Sequence, residues 1–111
     1  MTESESMKGL GDPWGYAEPS LKRVHRRIFR LNDKIASLQE EAEQVAAELD
    51  YHRSINDDAQ EDAAIGNYID REEAGLTAAD VRRFERALAD LEEKTARLVA
   101  KRDRLLNTLP S

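Results

Sequence analysis

Four carboxylates, Asp57, Asp58, Glu61 and Asp62, recur at helical spacing and could share a divalent cation. The same four, set against Arg82, Arg83 and Arg86 later in the chain, could equally be solvated acids paired with bases. His25 and His52 stand far apart, and neither has neighbours at metal-ligand spacing. There is no cysteine, which excludes disulfides and thiolate metal sites. No glycine-rich phosphate loop, no nucleophile beside a base and no paired-histidine signature occurs. The expectation is therefore a non-enzymatic protein that uses neither a metal nor a cofactor.

The densest chemistry is basic. Residues 21–30 read Leu-Lys-Arg-Val-His-Arg-Arg-Ile-Phe-Arg, with five Lys/Arg and no acid, in a chain whose net charge is −6. Lys22, Arg23, Arg26, Arg27 and Arg30 supply the charge, and Val24, Ile28 and Phe29 supply an apolar ridge. Such a segment suits docking on an acidic protein face. Nucleic acid is the less favoured ligand, because the acidic remainder repels a polyanion and no aromatic platform accompanies the arginines. Trp14 and Tyr16, just upstream, are either an anchor against the helices or a short docking motif.

Helices must position these residues. Of the 111 residues, 36% are charged and only 5% aromatic, a profile of solvent-lapped helices and not of a sandwich or an α/β domain. Residues 1–19 hold three of the five glycines and two of the three prolines, and read as a flexible arm. Apolar residues then alternate in steps of three and four from Leu21 through Ile28, Ile35, Leu38, Val45 and Leu49, a coiled-coil signal. Helix formers continue to Ile65, and Gly66-Asn67 offers a left-handed stop. A second stripe runs from Val81 through Leu88, Leu91 and Leu98 to Leu109, before Pro110. Thr77 and Asp80 have capping-box spacing, and Leu76 and Val81 occupy staple positions. The predicted fold is all-α: a two-helix antiparallel coiled-coil hairpin with an arm over residues 1–19, helix one over about 20–65, a turn over about 66–76 and helix two over about 77–109.

A hairpin with acids near its tip is similar in outline to the bacterial transcript-cleavage factors. Those insert a coiled coil into the RNA polymerase secondary channel and hold a catalytic Mg²⁺ with tip carboxylates. The resemblance implies a regulator of RNA polymerase or of another nucleoprotein machine. The turn residues Gly66-Asn67-Tyr68-Ile69-Asp70 depart from that family's tip motif. Trp14-Gly15 resembles the Trp-Gly element of secreted WXG-type hairpins, but here it precedes both helices instead of joining them.

Flanking charges suggest a register. Pairing the two stripes over their whole length sets Glu40, Glu41, Glu43 and Glu48 opposite Glu93, Glu92, Asp90 and Glu85. Sliding the helices by roughly nine residues, ~14 Å, faces Glu40 and Glu41 with Arg102 and Lys101, and Glu48 with Lys94, instead. That slid register leaves residues 21–30 extending past the end of helix two. His52, Thr95 and Arg102 become polar positions on the seam that restrict other pairings. Leu98-Val99 and Leu105-Leu106 widen the stripe of helix two, as in a hairpin that dimerises. The expected protein is a cytoplasmic, homodimeric protein-interaction adaptor without a membrane segment, docking through residues 22–30 with Trp14 and Tyr16.

Overall fold

The structure, a computed structural model, describes the backbone of residues 13–110 and the side chains of residues 20–110. It is an antiparallel hairpin of two helices, α1 (Pro13–Ile65) and α2 (Tyr68–Asn107). Residues 1–12 of the expected arm lie outside the described residues, as do the side chains of Trp14 and Tyr16. The remainder of the predicted arm is helical, because α1 begins at Pro13 and not near Ser20. Proline suits a first helical turn, where its missing N–H has no partner in any case.

The turn is far shorter than predicted. It consists of Gly66 and Asn67, and α2 starts at Tyr68 instead of Thr77. Asn67 is the N-cap. Its Oδ1 accepts from the backbone N–H of Ile69 at 3.0 Å and of Asp70 at 3.2 Å, and Asp70 Oδ2 accepts from the Asn67 N–H at 3.2 Å. That reciprocal box satisfies three donors that a helix start leaves open. Gly66 does not adopt a left-handed conformation, since no described glycine has positive φ. Its hydrogen is required by space: a Cβ would collide with the Asp70 carboxylate and lie 2.5 Å from the Asp62 carbonyl. Thr77 is an interior residue of α2, and the proposed staple residue Leu76 is 64% exposed.

A two-residue turn sets the register. With the bend between Gly66 and Asn67, residue i of α1 lies level with residue 133 − i of α2. Every seam residue then meets another: Ile28 with Leu105, Ile35 with Leu98, Val45 with Leu88 and Leu49 with Phe84. Asn56 meets Thr77, and Ala59 meets Ala74. Observed contacts follow this line. Thr77 Oγ1 donates to Asn56 Oδ1 at 2.9 Å, Gln60 Nε2 to the Ala74 carbonyl at 3.0 Å, and Arg102 to Asn32 Oδ1 at 3.1 Å.

The slid register is therefore wrong, and so is its charge argument. The full-length alignment does place Glu40, Glu41, Glu43 and Glu48 level with acids, but all four are exposed to water. Glu85 is drawn instead to Arg53, at 3.2 Å, and Glu93 to Arg97, at 2.7 Å. Exposed charge pairs contribute at most about 1 kcal/mol each. A continuous seam reaching the turn outweighs them, because each buried aliphatic side chain contributes ~1.5–3 kcal/mol.

Among the described residues, that seam is the whole core. Ile28, Ile35, Leu38, Leu49, Ala74, Val81 and Leu91 are buried, and no described side chain is fully enclosed. The accessible surface is 8360 Å², against ~6200 Å² for a compact protein of this 12.6 kDa mass. Ridges of two helices can cover one face of each other and nothing more. No helix among the described residues is long and apolar enough to cross a membrane.

Candidate functional site

α1 has 53 residues and α2 has 40, so the first outreaches the second by ~20 Å at the open end of the hairpin. An overhang thus exists, although its origin is the early start of α1 and not a charge-driven slide. Its extent differs accordingly. The free part of α1 runs from Pro13 to His25, and Arg26, Arg27 and Arg30 lie alongside the last turns of α2.

The predicted binding residues divide by their position on the helix. Lys22, Arg23, Arg26, Arg27, Arg30 and Phe29 are all exposed, Phe29 by 67%. No ion pair among the described residues involves any of these five bases; Arg23 makes a long contact to Ser20 Oγ at 3.5 Å. Val24 is half-buried. Ile28 is only 7% exposed, because it sits level with Leu105 in the seam, and so is not available as an apolar ridge.

α2 contributes charge to the same end, which reading residues 21–30 in isolation misses. Residues 20–34 hold six bases and one acid, and residues 94–110 hold five bases and one acid. Antiparallel folding superposes the two segments into one basic base. Arg27, Arg30 and Lys101 line a groove there, and Lys34, Lys94 and Arg97 line the next one.

The tip has the opposite sign. Residues 50–80 hold nine acids and two bases. Asp58 and Asp62 of the predicted acidic cluster share a groove with Asp70 and Glu73 from across the hairpin, whereas Asp57 and Glu61 do not line it. No group of acids or histidines among the described residues has metal-holding geometry. Arg82, Arg83 and Arg86 do not pair with this cluster, because the true register carries them past it; Arg83 binds Asp80 within its own helix. The tip also presents Ile65, Tyr68 and Ile69, which are 91%, 70% and 67% exposed. The periodicity alone assigns Tyr68 and Ile69 to an eleven-residue turn, where residues carry no expected face, and Ile65 to the last position of helix one.

The histidines fall apart as chemistry. His52 occupies the seam and stacks on Phe84, with centroids 4.5 Å apart and planes 20° from parallel. His25 is exposed on the overhang. The register-fixing polar layer is Asn56, Thr77 and Gln60, with Asn56 Oδ1 accepting from both of the others. Thr95 bonds to the Leu91 carbonyl of its own helix at 2.8 Å and so selects no partner.

Comparison with protein-family models, with curated proteins and with solved structures finds no match to this chain.

Proposed function

We propose that the chain is a non-enzymatic protein-interaction module, a stiff coiled-coil rod that docks an acidic protein face at its open end. The observation that carries this reading is the ~20 Å of α1 standing clear of α2, beside exposed bases that form no ion pair among the described residues. Lys22, Arg26 and Phe29 project away from the groove lined by Arg27, Arg30 and Lys101, and Leu106, 44% exposed, lies close to the Phe29 level. Bases around an aromatic anchor are the composition of an interface centre. A cytoplasmic setting belongs to the same proposal.

A pull-down tests it. The intact chain, immobilised after nuclease treatment, is compared with a Lys22→Glu, Arg26→Glu, Phe29→Ala variant. Capture of a protein partner is expected to fall at least ~10-fold, since anchor and charge reversals at such sites cost upward of ~1.4 kcal/mol. Equal capture by both removes the open end as the docking element. Capture abolished by nuclease alone transfers the site to nucleic acid.

A further inference from the structure

The hairpin has two long faces, and charge is distributed differently on each. In a heptad with the seam at a and d, residues at c and g of both helices turn to one face, and those at b and e turn to the other. The grooves divide in the same way. Those lined by Arg27, Arg30 and Lys101, by Lys34, Lys94 and Arg97, and by Asp58, Asp62 and Glu73 contain only c, g and seam positions. Those lined by Gln39, Glu43 and Ala96, and by Gln60, Ala64 and Ala78, belong to the opposite face. One face therefore carries a basic half at the base and an acidic half at the tip. Four of the seven most exposed large apolar residues, Tyr51, Ile65, Ile69 and Leu76, also stand at its c positions.

From this we infer that the c/g face is a self-association surface whose occupant is a second copy of the chain, packed antiparallel about a two-fold axis. The axis crosses the hairpin level with Gln44, midway between the basic and acidic grooves. The two-fold then sets the base of each copy on the tip of the other, twice over. Levels 27 and 30 meet levels 62 and 58, which opposes Arg27 to Asp62 and Arg30 to Asp58. The same operation brings Arg97 and Arg104 to the levels of Asp80 and Glu73. A two-fold interface must be self-complementary, and a single-signed face could not be. The exposed apolar c residues are covered by the aliphatic stems of the partner's lysines and arginines. Base and tip grooves lie ~42 Å apart, well beyond the ~8 Å Debye length, so each end pairs independently. Glu41 and Glu48 flank the axis, so Glu41 of each copy opposes Glu48 of the other, and the dimer is held at its ends and resisted at its middle.

This inference uses a different face from the docking of Lys22, Arg26 and Phe29, and either can fail without the other. Sedimentation equilibrium of the intact chain at 50 mM salt should show a dimer that weakens at least ~10-fold by 500 mM. A base-reversed chain (Arg27→Glu, Arg30→Glu, Lys101→Glu) and a tip-reversed chain (Asp58→Lys, Asp62→Lys, Glu73→Lys) should each lose self-association by ~100-fold or more. Mixed together they should form a heterodimer, because one base–tip contact is restored with inverted sign and the other keeps its native charges. Circular dichroism checks that the reversed helices remain formed. Should either melt, the neutral set Asp58→Asn, Asp62→Asn, Glu73→Gln must weaken the dimer and Glu41→Gln, Glu48→Gln must strengthen it. Orientation is read from a nitroxide on Glu61→Cys, the chain having no other cysteine: antiparallel packing sets the two labels ~50 Å apart. A monomer at 100 μM in low salt, an unresponsive dimer, reversed chains that ignore each other, or labels within ~25 Å of each other would each overturn the proposal.

Discussion

Two glycines at the residue scale have opposite prospects. Gly66 has no room for a side chain, since a Cβ would displace the Asp70 carboxylate from the Asn67 N–H and press on the Asp62 carbonyl. Gly66→Ala should therefore lower stability by ~1–3 kcal/mol, the cost of a lost cap and a strained turn, seen as a fall in denaturation midpoint. Gly75 is mid-helix with nothing within 4 Å of its would-be Cβ. Gly75→Ala should raise stability by about 0.5–1 kcal/mol in the same assay. The sequence presents both as plausible helix breakers, and only the space around each separates them. Arg53 and Glu85 bridge the helices at 3.2 Å, but both side chains are about half exposed. Glu85→Gln should cost under ~1 kcal/mol in denaturation, and a larger loss would contradict the view that surface charge leaves the register unaltered.

Between elements, the register is decided by the turn and by the polar layer next to it. Thr77 donates to Asn56, and Gln60 to the Ala74 carbonyl, only when residue 56 is level with residue 77. Shifted pairings would give up both cross-helix bonds, at ~0.5–1.5 kcal/mol each. Asn56→Cys with Thr77→Cys should thus close a disulfide on mild oxidation, detected as faster gel migration. A pair of cysteines at Leu49 and Leu91, seam positions that only a slide of the helices brings together, should stay open, and ready closure there would reinstate a slid register. The apolar stripes of both helices thin toward the turn, through Asn56 and Ala59 on α1 and through Thr77 and Ala74 on α2. Read one helix at a time, that thinning resembles the end of pairing. Folded together, the two weak halves are partners, small against small and polar against polar.

The whole molecule is a rod of 94 Å with a cross-section of 18 by 16 Å. Its radius of gyration is 26.2 Å, about twice the ~13 Å of a compact chain this long. Scattering should return that value for the isolated chain, and an antiparallel dimer should thicken the rod with little added length. End-to-end assembly would lengthen it instead. Charge follows the same axis, with a basic base and an acidic tip, so the long dimension also separates two chemically distinct ends.

Much of this architecture is legible without coordinates. Helix type, the number of helices and their antiparallel return follow from three-and-four spacing interrupted once, near Gly66, because that period is a property of one chain acting locally. The end of α1 at Ile65 and the basic character of Lys22–Arg30 are local in the same sense. Register, face and exposure are not, for they depend on which side chains meet across the hairpin. A turn of two residues instead of eleven moved every cross-helix pairing and withdrew Ile28 into the seam. It also aligned the bases of α2 with those of α1 and brought Asp70 and Glu73 beside Asp58 and Asp62. Single-chain periodicity cannot weigh a continuous seam against surface repulsion; that comparison exists only once the two helices touch.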